Sequence, residues 1–274
     1  MRFVPAVVAL VLALVVALAA FFAQAGVRDP DTARREFESG EALFARAIER
    51  VANEPDAARE DFRGAARAFA TAMDAHPNAA TAYNLGNAWL RAGDVGQAVA
   101  AYRRALLLSP GDTRVEQNLS EARRQMARSI APPSPRSIDR ARSAWAWLDG
   151  RAMIALSLWT IGFALVATAV VRADARTRWM DRAGAASIVA ATLLGLTTVA
   201  DQLAIRHSDA GVVGTSTILR KGNGDGFEPE LAEPLPAGAE CRILESRPGW
   251  TQIELNGPSR GWVRDDTLIS VVSR

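Results

Sequence analysis

One cysteine, two histidines and one lysine are all that this 274-residue chain has of those residue types. A lone Cys241 excludes an intrachain disulfide and any CxxC pair, redox or metal-binding. His76 and His207 leave very little from which to build a histidine-based metal site or a catalytic triad. The missing lysine is not missing charge. Every basic residue except Lys221 is arginine, 32 basic residues stand against 30 acidic ones, and the formal net charge is +2. These arginines are scattered among acids along candidate helices, which fits a GC-rich genome better than a nucleic-acid surface. A chain of this length has room for one or two domains. Its hydrophobic content of 49% is ordinary, but the apolar residues gather in three blocks.

The first block is Phe3 to Ala23, preceded by Arg2 and followed by Ala23-Gln24-Ala25. The small residues at 23 and 25 suit a signal peptidase, whereas the run exceeds the about 7–15 residues of a signal core and approaches the ~20 that span a bilayer. Residues 1–25 are therefore a signal peptide or an N-terminal anchor. Both deliver the downstream chain across a membrane.

Asn84 to Pro110, NLGNAWLRAGDVGQAVAAYRRALLLSP, reads as two antiparallel helices around a Gly93-Asp94 turn, stopped by a proline. Gly86, Ala88, Ala98 and Ala105 sit where the helices must touch, and Leu85, Trp89, Val99, Tyr102 and Leu106 fill the space around them. The stretch resembles a tetratricopeptide (TPR) repeat, with Ala82 in place of the usual tryptophan. Ala65, Phe69, Ala72 and Pro77 repeat the spacing of Ala98, Tyr102, Ala105 and Pro110. This marks an earlier copy whose first helix is FESGEALF, with Gly40 and Leu43 for Gly86 and Trp89. Its hairpin connection passes through Asn53-Glu54-Pro55-Asp56, a helix breaker. After Gly111-Asp112, Thr113 and Glu116 form a capping box, and Asn118-Leu119 and Ala122 repeat Asn84-Leu85 and Ala88. No partner helix comes after it, so the third helix caps the stack. The helical repeats occupy 37–128, two and a half units where three are usual.

Residues 129–150 begin with the extended Ala131-Pro132-Pro133-Ser134-Pro135 and continue with arginines around Trp145 and Trp147, which suit a membrane headgroup layer or a short soluble helix. Two apolar spans come next within 151–205, at about 153–171 and 183–203, around the arginine-rich connector 172–182. Such a connector stays in the cytoplasm. The repeats and the tail then lie together on the other side. Asp201, at the far end of the second span, reads as a hydrated interfacial residue rather than a proton relay.

From 210 to 272 the pattern turns to short β segments: GVVGTSTILRKG, AGAECRILES, GWTQIEL and GWVRDDTLI. Leu219-Arg220, Gly238 before Cys241 to Ile243, Gly249-Trp250 and Gly261-Trp262-Val263 resemble a bacterial SH3-type barrel. Trp250 and Trp262 would supply its bulk, and Cys241 would point inward.

No stretch offers a catalytic set. Lys221 to Gly226 is glycine-rich but lacks the Gly-Lys-Ser/Thr ending of a phosphate loop and lies between strands. Lys221 also spoils it as a calcium loop. Asp265 and Asp266, adjacent in an extended stretch, point to opposite faces and read as a solvated turn. No metal site, cofactor site or nucleic-acid surface is expected. The candidate site is instead one face of the helix around Gly86. Tyr83, Asn87, Leu90 and Arg91 share the side opposite Leu85 and Trp89, and in TPR proteins that side lines a groove. Asn87 and Arg91 there suit a partner's carboxylate or backbone.

The fold class is thus a multi-part membrane protein, with α-helical TPR hairpins, a two-helix transmembrane hairpin and a small all-β SH3-like barrel. The order of parts, with the NLGNAWLRAG and LLLSPGDTRVEQNLSEAR phrases, resembles the BatE-like proteins of bacterial aerotolerance (Bat) operons. That resemblance implies partners among membrane-anchored von Willebrand factor A (VWA)-domain proteins and a MoxR-type AAA+ ATPase system. The expected function is a non-enzymatic scaffold at the cytoplasmic membrane, with both modules facing the periplasm. The alternative is an envelope sensor whose SH3-type tail contacts the cell wall or another ligand.

Overall fold

Asp29 and Pro30 start the first helix earlier than FESGEALF suggests. The Asp29 side chain accepts from Thr32 N and Pro30 takes the first turn, where its missing N–H costs nothing, so α1 is Pro30–Arg50. The helical repeats therefore begin seven residues before position 37. The computed structural model describes residues 29–134, 151–172, 178–206, 208–257 and 259–272. The leader at 1–25, Trp145 and Trp147, and the middle of the arginine-rich connector lie outside the described residues.

After α1 come α2 (Pro55–Ala75), α3 (Ala79–Ala92), α4 (Val95–Leu108) and α5 (Thr113–Arg124). Beyond them are α6 (Arg151–Arg172), α7 (Arg178–Arg206), β1 (Ala210–Val213), β2 (Glu240–Arg247), β3 (Trp250–Glu254), β4 (Arg260–Arg264) and β5 (Leu268–Ser270). Two compact units result. One holds α6 and α7; the other holds α1–α5 and all five strands.

In the larger unit the two helical hairpins repeat one packing solution. A Cβ at Gly40 would lie 2.7 Å from the Phe69 ring, and one at Gly86 would lie 2.5 Å from the Tyr102 ring. Each first helix thus uses glycine to admit the aromatic of its partner. The α3–α4 turn is closed by Gly93 at φ 87, the left-handed conformation that favours glycine. The third helix differs from its expected cap. Asp112, not Thr113, is the N-cap and accepts from Arg114 N, so Thr113 is the first helical residue. The Asp112 carboxylate also holds the Arg114 side chain, which a threonine hydroxyl could do less well. One buried charge was not foreseen: Asp61 on α2 is gripped by Arg46 at 2.5 Å and Arg50 at 3.0 Å from α1.

The β segments form an antiparallel sheet in the order β4-β3-β2-β1-β5. It is an open sheet with β4 and β5 at its edges, joined in sequence by a 3-10 turn at Asp265–Thr267. GVVGTSTILRKG is a strand only at its start; Thr217 and Arg220 make isolated bridges to Leu235, Pro229 and Trp262. The β core is built from Val213, Leu219, Leu235, Ala239, Cys241, Ile253, Leu255 and Val263. Trp262 is buried, but Trp250 is only half-buried under the Arg264 guanidinium, 5.3 Å from its ring centre. Of the two tryptophans expected to supply bulk, Trp262 does so, while aliphatic residues take the place of Trp250 in the interior.

In the other unit, Gly162 on α6 meets Gly184 on α7. A Cβ at Gly184 would lie 2.7 Å from Gly162 O, and one at Gly162 would lie 2.9 Å from Gly184 O. Trp159 Nε1 donates to Thr192 Oγ1 at 3.1 Å, and Ser187 Oγ donates to Leu158 O at 2.7 Å. Large apolar residues such as Ile161, Val171, Leu193 and Leu196 face outward. Ala152–Arg172 and Trp179–Asp201 are long and apolar enough to cross a membrane, and only 11% of each is buried within the protein. A helix in a soluble core would hide most of its surface.

Candidate functional site

The helix carrying Tyr83, Asn87, Leu90 and Arg91 keeps its apolar side inward through Ala82, Leu85 and Ala88. The four candidate residues are not uniformly open. Arg91 is exposed, while Tyr83, Asn87 and Leu90 are half-buried, and Leu90 packs at the edge of the helical core. Asn87 Oδ1 accepts from Tyr102 Oη at 2.8 Å and from Asn118 Nδ2 at 2.8 Å. The same Asn118 amide donates to Tyr83 Oη at 3.1 Å. Burial pushes the Tyr102 hydroxyl well above its usual pKa, so it stays a donor, and the charge of Arg91 acts on it in the opposite direction.

Two residues from α5 thus join the face, Asn118 through this network and Arg114 above the Tyr83 ring at 5.8 Å. Asn118 was legible as the counterpart of Asn84 one repeat earlier, but a shared register did not say that its amide would bridge Tyr83 and Asn87. Arg114 was hidden because its position depends on the Asp112 cap. The Asp112 carboxyl is held below its usual pKa by hydrogen bonds from Arg114. The arrangement ties α3, α4 and α5 together through neutral groups and sets two guanidinium groups, Arg91 and Arg114, on its rim. Asn87 Oδ1 is occupied internally, and Arg91 stands exposed beside it.

The opposite face of the stack is covered. Val212 of β1 and Val271 just past β5 belong to the same apolar core as Val115, Leu119 and Ala122 of α5 and Val99 and Ala101 of α4. A Cβ at Gly96 would lie 2.4 Å from Gly214 O, so α4 and the chain after β1 touch through glycine. At this seam Glu240 of β2 is buried at 5% exposure. Arg123 reaches its Oε1 at 2.8 and 2.5 Å. Arg103 Nε lies 3.1 Å from Oε2, near enough for charge attraction without hydrogen-bond alignment. Past α5, Met126 and Ile130 pack on the β core, and Arg128 pairs with Glu233 and donates to Pro234 O. The repeats and the tail, expected as separate modules, are therefore one folded unit. The sheet covers the third helix where a second helix would have been.

The remaining sequence candidates settle simply. Cys241 points inward, and burial pushes its thiol up to about 12. Asp265 and Asp266 lie in an exposed turn, with Asp265 accepting from Thr251 Oγ1. Lys221 to Gly226 is a loop of the sheet, where Lys221 pairs with Glu228 and Asp225 with Arg264. Among the described residues no three His, Cys, Asp or Glu side chains cluster as a metal site.

The model of the tetratricopeptide repeat family matches residues 79–112, which are α3, α4 and the turn after them. No curated protein and no solved structure matches the chain. Residues 79–112 are thus a tetratricopeptide repeat, a unit that generally mediates contacts between proteins.

Proposed function

We propose that this protein is a non-enzymatic, membrane-anchored scaffold whose repeat face, built on Tyr83, Asn87, Leu90 and Arg91, binds a protein partner outside the cytoplasmic membrane. One observation carries the reading. The pieces that make the larger unit, α1–α5 and the strands, lie on either side of α6 and α7 in sequence yet share one core. A folded unit cannot straddle a bilayer, so the inserted helices must leave one side and return to it. Two apolar helices of spanning length joined by a short connector do that with the fewest crossings. The connector's arginines favour the cytoplasm, and the folded unit then lies in the periplasm. The sheet covers the second-helix face, leaving the first-helix face for the partner.

The resemblance to BatE-like proteins supports VWA-domain proteins and a MoxR-type ATPase system as the partners to try first. Cysteine labelling tests the topology. With Ser39→Cys, Ala175→Cys and Asp266→Cys, an impermeant maleimide should label 39 and 266 from outside intact spheroplasts, and 175 only after lysis. Labelling of 39 and 266 from opposite sides would end the reading. A pull-down from mild detergent tests the face, since Tyr83→Ala with Arg91→Glu should lose the captured VWA-type protein.

A further inference from the structure

Arg104 sits on the covered side of the stack, in the wall of a cavity of about 60 Å³ between α3, α4 and β5. Leu85, Trp89, Ala100, Ala101 and Ile269 give this cavity an apolar floor, and Gln97 stands at its rim. The guanidinium is half-buried and spends its Nε–H on Val271 O at 2.8 Å. Among the described residues no carboxylate lies within ion-pair distance of it. Burial lowers its pKa, and the charge of Asp74 only partly opposes that. A cation partly drawn out of water without a directly paired carboxylate is unfavourable; Asp61 and Glu240 show how this chain meets the same cost elsewhere, with contacting charges.

The cavity also runs beside an open sheet edge. In the β1–β5 ladder the backbone groups of Thr267 and Ile269 and the N–H of Val271 turn toward β1, as Gly214 N to Thr267 O and Val271 N to Ala210 O show. By alternation the N–H and C=O of Ser270 face away from the sheet, and Ser270 lines the cavity. An apolar floor, a guanidinium without a paired carboxylate and one strand-edge N–H are complementary to a carboxylate attached to a small aliphatic group. By size the space suits about four to six non-hydrogen atoms.

We propose that the cavity between α3, α4 and β5 is a binding site for a carboxylate bearing a short aliphatic group, with Arg104 as the counter-ion and the Ser270 N–H as a second contact. The carboxylate can be carried by a free acid or by the last residue of a peptide. This site is separate from the Tyr83–Arg91 face and lies on the other side of the repeats.

Full-length protein in nanodiscs, tested by saturation-transfer NMR, distinguishes the sources. The probes are isobutyrate, N-acetyl-Ala-Ala-Val with a free carboxylate, and the same peptide as its C-terminal amide. Saturation transfer to isobutyrate assigns the site to free acids, and transfer to the acid peptide alone assigns it to chain ends. Either signal should fall at least tenfold in Arg104→Gln, be partly kept in Arg104→Lys, and persist in Tyr83→Ala. Equal signals from the acid and amide peptides, signals that survive Arg104→Gln, or no transfer from any probe would overturn the proposal. Hydrogen exchange on each variant confirms that the helical core is intact, so a lost signal is not lost folding.

Discussion

The α3–α4 hairpin and the α6–α7 hairpin are built from the same element and packed inside out from each other. Between α3 and α4 a glycine admits a large ring, polar groups close a network at the rim, and the apolar residues are hidden. Between α6 and α7 two glycines let backbones touch, small polar groups cross-link the helices, and the large apolar residues face outward. The first arrangement suits water, where burying apolar area drives packing. The second suits hydrocarbon, where close backbone approach and interhelical hydrogen bonds hold helices together instead.

The largest expected effect comes from placing the same intrusion in both hairpins. Gly86→Val drives a branched side chain into the buried Tyr102 ring and should destabilise the larger unit by about 3 kcal/mol or more. Chemical denaturation of the full chain in detergent, followed by aromatic fluorescence, reads this. Gly162→Val should leave that transition in place while separating α6 from α7, seen as lost disulfide cross-linking between cysteines at 159 and 192. If Gly162→Val shifted the larger unit's transition as much as Gly86→Val, the two hairpins would not be independent structures.

A smaller loss is expected at the seam. Glu240→Ala strands Arg103 and Arg123 and should cost about 2 kcal/mol, less than a fully buried pair because both arginines keep some contact with water. The loss should appear as exchange protection falling in both α5 and β2. A change confined to the strands would show that the sheet folds without the helices.

The charge buried in the first hairpin gives a pH test. Hydrogen bonds from Arg46, with its charge and that of Arg50, hold the Asp61 carboxyl below its usual pKa despite desolvation. The stabilisation is therefore complete above the unfolded value of about 3.9 and is lost as pH falls through the depressed folded value. Asp61→Asn should lie below the wild type by a constant amount at neutral pH, with the gap closing only on the acid side. A gap that closed between pH 6 and 8 would contradict the ion-pair assignment.

The smallest effect belongs to the apolar-out hairpin. Thr192→Val removes the acceptor for Trp159 Nε1 and should cost about 0.6 kcal/mol of helix association, the usual size of such bonds in membranes. Cross-linking yield or a helix-pair association assay in micelles would register it.

The repeat spacing, the glycines opposite Phe69 and Tyr102, the two apolar spans and the change to β segments were all readable along the chain, because each depends on neighbours a few residues apart. The candidate face was readable as a face, through helical periodicity at Tyr83, Asn87, Leu90 and Arg91. Its internal wiring was not, since the Asn118 amide that bridges Tyr83 and Asn87 comes from another helix. The start of α1 was missed for a local reason, as Asp29-Pro30 is a capping signal outweighed by the repeat pattern that begins at Phe37.

Periodicity says which side of an element must be hidden, and that information resides in the chain alone. It does not say what will hide it. Arg123 and Glu240 lie 117 positions apart, and Arg104 and Val271 lie 167 apart, with the two apolar helices intervening. Only three-dimensional packing could bring a strand's carboxylate under two helix arginines, seat the sheet on the unpaired third helix, and make one body of two modules that the linear order keeps apart.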